Sequence, residues 1–520
     1  SAAGTLTTVT MNNYGDSTVN SGALATLNVS GTGGTLGITT GALTTAAVTT
    51  LALNVNGLSY VNAGTNNAIT VDADITTLNL DSSTAASTIN DLTATGVTAL
   101  NISGDAKVTL TASTVAAVTD VVVTNTGGAV LGTLLGTTVN FTGGAGDDTV
   151  TLGATTKAIT LGAGNDTVTS AGLVGTAGTV AAGAGTGDTI IMTSAQSATA
   201  DNNATFNTAF TGFETLQISD AFGASTVLDI DGINDVTKVI VAGGTGHAST
   251  AKITNIDSGS TVEFRANING MMVNVDGAIS SSTDVLNVDL KKTTALTHTI
   301  LTAANVETVN IGVADNVAIG SAAVTHILTT LTAADATTVN VSGNNGLTVT
   351  NSTGSVLVTD FNASGVVANS TAATTLVAAT TDTAANLAVT FTSANVTTTA
   401  AVSITGGAGN DVLTGNAAKD TITGGEGADT LAGGAGVDSI VLTETTSAAD
   451  IVTVNAVQGI SSDSSRVATA GTDNDSGQDT ITAFKFGTDT INVVATAITT
   501  FIHGTDTAIG TATGSVNDGT

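Results

Sequence analysis

Cysteine is absent from all 520 residues, and so are proline and tryptophan. Without cysteine there is no disulfide framework and no thiolate metal centre, so a secreted chain of this size needs another staple. Tyrosine occurs twice and aromatic residues make up 2% of the chain, too little for a deep core packed by large rings. Basic residues are scarce as well. The 10 Lys and Arg stand against 41 Asp and Glu, a formal net charge of −31, and a surface so one-sided repels nucleic acid and anionic membranes. No apolar run approaches the ~18 residues of a transmembrane segment. The opening residues, Ser1-Ala2-Ala3-Gly4, do not form a charged region followed by an apolar signal core. Either export is expected to proceed without an N-terminal signal, or the chain begins inside a longer precursor.

Catalytic signatures are missing too. There is no phosphate-binding G-x-x-x-x-G-K loop, no H-E-x-x-H and no G-x-S-x-G elbow. The four histidines, His247, His298, His326 and His503, are scattered and are expected in structural or surface roles. The expectation is a protein that is not an enzyme.

What is present points to strands. Hydrophobic residues are 41% of the chain and the mean hydropathy is +0.37, which argues against disorder. β-branched residues abound and favour strands over helices. A short phrase recurs over the first 140 residues: Leu27-Asn28-Val29-Ser30-Gly31, Leu53-Asn54-Val55-Asn56-Gly57, Leu78-Asn79-Leu80-Asp81 and Leu100-Asn101-Ile102-Ser103-Gly104. Apolar residues alternate with Thr or Asn in the period of a half-buried strand. Related phrases return from 191 to 400, such as Val285-Leu286-Asn287-Val288-Asp289 and Thr338-Val339-Asn340-Val341-Ser342. Their spacing there is less regular, which predicts insertions and short helices. Short strands at this spacing fit the stacked coils of a β-solenoid, with Asn or Thr laddering between coils, better than a chain of β-sandwiches. The predicted class is all-β, a parallel β-solenoid (β-helix).

Two blocks break into nine-residue units. In the second, Gly406–Thr414 is followed without a gap by Gly415–Thr423, Gly424–Ala432 and Gly433–Val441. All four place Asp at position six (Asp411, Asp420, Asp429, Asp438) and an apolar residue at position eight (Leu413, Ile422, Leu431, Ile440). The unit matches the G-G-x-G-x-D-x-U-x calcium-binding repeat of parallel β-helices. Early glycines free the backbone to make a tight turn with uncovered carbonyls. Ca²⁺ accepts 6–8 oxygen ligands in irregular geometry, and the Asp adds charge. The expected cofactor is therefore Ca²⁺, held through Gly407, Gly409, Asp411, Asp420, Gly425, Gly427, Asp429, Gly434, Gly436 and Asp438. One unit makes half a coil, so successive turns fall on opposite edges and unit n pairs with unit n+2. Asp411 should meet Asp429, and Asp420 should meet Asp438. Asn416, Ala417 and Ala418 replace glycines in the second unit beside Lys419, so its edge should bind less tightly.

The first block is degenerate. Gly143–Thr151 is a full unit and Leu161–Thr169 nearly one, while Leu152–Thr160 carries Lys157 where Asp is expected. A variant at Gly183–Ile190 follows after a longer turn. The expected ligands are Gly144, Gly146, Asp148, Gly162, Gly164, Asp166 and Asp188, all on one edge, with Lys157 marking an edge left empty. Weaker acidic clusters lie at Asp229-Ile230-Asp231-Gly232-Ile233-Asn234-Asp235 and at Asp473, Asp475 and Asp479; of these, Asp479 joins the candidate metal residues.

The tandem units resemble the RTX family of type I-secreted proteins. So does the segment from Gly477 to Ile491, which is similar to the G-x-D-x-I-x-x-F…G-x-D-x-I phrase that follows RTX arrays and is expected to cap the solenoid. The nonapeptides would then form RTX calcium β-roll segments. The Thr/Ala/Asn-rich, cysteine-free remainder resembles bacterial surface-layer (S-layer) proteins of the RsaA class. That resemblance implies secretion unfolded, folding in external calcium and self-assembly into a two-dimensional cell-surface lattice. It also implies a lipopolysaccharide anchor through a domain outside this chain, which would be the C-terminal, lattice-forming part. The divisions that follow are 1–140 β-solenoid repeats, 141–190 first calcium β-roll, 191–400 irregular β-repeat region, 401–442 second β-roll and 443–520 C-terminal cap or secretion-related region. Rival readings are a calcium-stabilised RTX adhesin, a secreted polysaccharide-degrading enzyme on a β-helix, and an ice-binding solenoid, the last disfavoured by irregular coil lengths.

Overall fold

A computed structural model describes residues 4–39, 48–60, 68–172, 177–223, 225–233, 236–244, 251–278, 282–314, 323–368, 382–395, 400–455, 479–494, 498–503 and 507–512. Contacts divide the chain into two units, Ser1–Ser219 with Asp229–Val236, and Asp220–Leu228 with Thr237–Thr520. Within each unit consecutive strands are dealt alternately to two parallel sheets, so two strands and their turns make one coil of a β-solenoid.

In the first unit one sheet has ten strands, from Thr8–Tyr14 to Phe210–Thr211. The other runs from Ser17–Asn20 to Thr215–Ile218. Each strand alternates inward apolar and outward polar residues, and the parallel register stacks like on like. Leu51, Leu78, Leu100, Val121, Phe141, Ile159, Val180 and Phe210 form one in-register inward column. Ile89, Leu110, Leu131, Val150, Val168, Ile190 and Leu216 form its counterpart on the other sheet. All are buried, at about 1.5–3 kcal/mol of favourable transfer free energy for each large side chain. On the outward face Asn28 and Asn54 are joined by an amide–amide hydrogen bond of 2.8 Å, as are Asn79 and Asn101. The recurrent phrase is not kept in phase throughout. Leu53 pairs with Leu80, so Ala52 rather than Asn54 faces Asn79. A slip of two leaves every side chain on its original face, which is why the core tolerates it.

The irregular spacing after 191 includes a helical excursion. Ser194–Ala200 starts with a capping box between Thr193 and Gln196, and Ala204–Ala209 is capped by the Asn203 side chain. Phe206 stacks on Phe210 at 4.3 Å between ring centroids, closing the coil where the chain returns to the sheet.

The second unit repeats the plan. One sheet includes the strands from Lys252–Ile256 to Thr490–Val494 and the other those from Lys238–Val241 to Thr480–Thr482. Its core columns end in Phe391–Leu413–Leu431–Val452–Ile491 and Phe361–Ile404–Ile422–Ile440–Ile481. Phe361 and Phe391 stack across the interior at 3.9 Å. Asn287, Asn310 and Asn340 form a second amide ladder. In the segment expected to cap the solenoid, Thr480–Thr482 pairs with Ser439–Val441, and Thr490–Val494 with Ile451–Asn455. Among the described residues the one antiparallel pair is Ile498–His503 with Thr507–Ala512. No helix among them is long and apolar enough to cross a membrane. Ladders of strands run across 140, 190 and 442 without interruption, so those compositional divisions are not breaks in the sheets.

Candidate metal centre

A parallel strand begins with a backbone N–H that must find an acceptor. In the nonapeptide blocks that N–H belongs to the Asp at position six, and its acceptor is the Asp of the coil above. On the first edge of the second unit Val389 N–H donates to Asp411 Oδ1 at 2.7 Å, Asp411 N–H to Asp429 Oδ1 at 2.8 Å, and Asp429 N–H to Asp450 Oδ1 at 2.9 Å. Asp450 N–H reaches Asp489 Oδ1 at 3.2 Å. On the opposite edge Val402 N–H donates to Asp420 at 2.9 Å, Asp420 N–H to Asp438 at 2.9 Å, and Asp438 N–H to Asp479 at 2.8 Å. In the first unit the series is Ala129 to Asp148, Asp148 to Asp166, Asp166 to Asp188 and Asp188 to Glu214, at 2.7–2.9 Å. The structure thus brings together the aspartates that half-coil spacing pairs. It adds Glu214, Asp450 and Asp489, which lie outside the regular spacing.

These carboxylates are 0–5% exposed from Asp148 through Asp489, Glu214 excepted. Burial, which disfavours the charged form, pushes Asp148 up to about 6 and Asp166, Asp411 and Asp438 to about 7. Asp429 rises to about 8, through burial first and then repulsion from Asp411, Asp450 and Glu444. Asp188, Asp420 and Asp450 are raised by burial as well. Each carboxylate spends Oδ1 on an N–H, while Oδ2 of Asp166, Asp188 and Asp438 is buried with no hydrogen-bond partner. Rows of buried acids with oxygens to spare are costly unless a cation meets them.

The glycines complete the cradle. Gly425 (φ +107°) and Gly427 (φ +111°) lie in the left-handed region, and a Cβ on either would strike the carbonyl oxygen of Gly407 or Gly409 one coil below. Gly162, Gly164, Gly434 and Gly436 repeat that arrangement. In the turns that open each block, at Gly144, Gly146, Gly407 and Gly409, φ lies outside that region, and a Cβ is excluded by neighbouring backbone, joined at Gly407 by the Val366 side chain. Among the described residues no three His, Cys, Asp or Glu side chains converge on a point. A bound cation must therefore draw on turn carbonyls, among which Gly144 O and Gly407 O each also accept one N–H, from Ala163 and Glu426; an all-oxygen set of this kind suits Ca²⁺ and not a metal that demands side-chain nitrogen or sulfur. The residues present fit Ca²⁺.

Position five lies outside the ladder. Asp147 Oδ1 accepts Asn165 N–H at 2.8 Å, and Asn410 Oδ1 accepts Ala428 N–H at 3.0 Å. In the degenerate second unit the Asn416 side chain bonds Ala400 O and Ala418 N–H, bracing a turn that lacks glycine pairs. Lys157 is exposed; on its edge the buried Thr155 hydroxyl accepts the Lys157 N–H at 3.2 Å where a carboxylate stands elsewhere. Asp229 caps a 3₁₀ turn and receives the Asp231 N–H. Asn234, Asp235, Asp473, Asp475 and His247 lie outside the described residues.

Two groups had no sequence signal. His298 and His326 are buried in successive coils, with the Leu296 N–H donating to His326 Nδ1 at 3.0 Å and neither ring nitrogen of His298 finding a partner. Burial pushes them down to about 3 and 4. Glu263, fully buried, is ion-paired with Lys238 and with Arg265, both at 2.5 Å.

The family model of the RTX calcium-binding nonapeptide repeat, in four copies, matches residues 140–168 and 405–440. No curated protein matches the chain. Both matched segments coincide with the carboxylate ladders, so the chain carries RTX repeats that bind Ca²⁺, set within a parallel β-solenoid.

Proposed function

We propose that this chain is a structural, non-catalytic protein of the cell surface, secreted unfolded and folded by extracellular calcium, that assembles with copies of itself into a two-dimensional surface layer. The observation that carries this reading is the set of three buried carboxylate ladders. In cytosolic calcium, sites of the 10⁻⁴–10⁻³ M affinity of extracellular modules stay empty and their acids repel one another. In millimolar calcium the ions fill and binding free energy becomes folding free energy. A cysteine-free chain of net charge −31 gains through calcium both the staple and the charge neutralisation that close packing of copies requires. The amide ladders on the outer sheet faces and the resemblance to S-layer proteins support the lattice.

Electron microscopy of purified protein with calcium and with a chelator tests the reading. Ordered sheets should appear only with calcium. A chain that stays monomeric at millimolar calcium defeats the lattice proposal while leaving calcium-dependent folding intact.

A further inference from the structure

The turn after the last nonapeptide differs from those before it. Gly424 reaches Asp429 through a glycine-rich turn, whereas Leu442 to Asp450 is three residues longer and contains no glycine. The ladder nonetheless continues, with Asp429 N–H bonded to Asp450 Oδ1 and Asp450 buried. Inside this turn Glu444 replaces what the glycines supplied. Its side chain is 1% exposed. Oε1 accepts the Ala448 N–H at 2.7 Å and the Lys485 Nζ at 3.1 Å, and Oε2, also buried, meets no hydrogen-bond partner. The turn is pinned from the coil below, where Glu426 accepts the N–H groups of Thr445 and Thr446 at 2.5 and 3.0 Å. Glu444 lies close enough to raise both Asp429 and Asp450 by repulsion.

One oxygen of this carboxylate is fixed from two sides and the other is aimed at nothing, deep among acids. Such an arrangement is costly without a cation. The geometry points to a calcium site beyond the nonapeptides: Glu444 Oε2 acts as a side-chain ligand to an ion that Asp429 and carbonyls of the Gly424–Asp429 turn also hold. Lys485 bonds Oε1 alone, which the Ala448 N–H also holds, and leaves Oε2 to the ion. Ca²⁺ is the cation because the donors are all oxygens in an irregular turn. This rests on the calcium reading of the nonapeptides.

The test is calcium titration of the full chain by calorimetry, with thermal melts in saturating calcium and in chelator. Glu444→Gln, which keeps the acceptor for Ala448, should bind about one ion fewer, or bind its weakest ion about tenfold less tightly. Its melting temperature should fall in calcium and not in chelator. Lys485→Met should keep the ion count. The proposal is overturned if Glu444→Gln binds as the unaltered protein does, if its melting temperature falls equally in chelator, or if Lys485→Met loses the same ion, since the pair would then be merely structural. An unaltered chain that binds no calcium would instead defeat the calcium reading itself.

Discussion

Asp411 and Asp429 stand 18 residues apart and are joined by a 2.8 Å hydrogen bond from the Asp411 N–H to the Asp429 carboxylate. The same 18-residue step joins Asp148 to Asp166 and Asp420 to Asp438. Each bond uses one oxygen; the other accepts a turn N–H, as Asp411 Oδ2 does from Gly407 and Asp420 Oδ2 from Asn416, or stays buried without a partner, as in Asp166 and Asp438.

The ladder separates two neighbouring aspartates in the first block. Asp166 is buried with Oδ2 unpartnered, whereas Asp147 is exposed and bonds only the Asn165 amide. Asp166→Asn is expected to lose roughly one bound calcium, and Asp147→Asn to bind as before. Calorimetric titration decides it; equal losses would sink the pairing.

Gly425→Ala places a methyl against the Gly407 carbonyl at a φ of +107°. Backbone strain and overpacking together should cost about 2–4 kcal/mol, seen as a lowered melting temperature in calcium. An unchanged melt would mean that the turn opens freely.

Calcium and protons compete for the ladder. In calcium-free protein Asp166, Asp411 and Asp438 titrate near 7 and Asp429 near 8, above their ordinary value of 3.8. A raised acid stabilises the fold below its unfolded value and loses that contribution as pH rises through the folded one. The calcium-free array should thus weaken from about pH 4 to 8, and calcium binding near pH 6.5 should release protons. Calorimetry in buffers of different ionisation enthalpy measures that release; a buffer-independent heat would refute it.

The buried histidines have the opposite sign. Their folded values lie near 3 and 4, below the unfolded 6.5, so unfolding takes up protons below pH 6.5 and stability falls from there toward pH 3. For His298 the full loss is on the order of 5 kcal/mol. His298→Leu should flatten the acid limb of a denaturation series run in chelator, relative to the parent chain. If both chains lose stability in parallel below pH 6.5, His298 is not the titrating group.

Sequence spacing exposed what is strictly periodic. Nine residues per half coil makes Asp411 and Asp429 partners on paper, and alternation of apolar and polar residues fixes which faces are buried. Insertions hid the rest. Asp188 meets Glu214 across 26 residues, and Asp438 meets Asp479 across 41; neither distance has a period. Leu53 facing Leu80 rather than Leu78 was invisible because a slip of two conserves the pattern. Glu263 and the His298–His326 pair depend on coil lengths that no local motif records.

The ladder bonds all point one way, from the amide of a coil to the acid of the coil nearer the C-terminus. An array cut between coils therefore shows a waiting carboxylate oxygen on its N-terminal face and a waiting amide on its C-terminal face. Position five reverses this, since the Ala428 N–H donates back to Asn410. Each edge of the solenoid thus offers an incoming coil both kinds of group, and single hydrogen bonds such as Asp411 to Asp429 set which lies where.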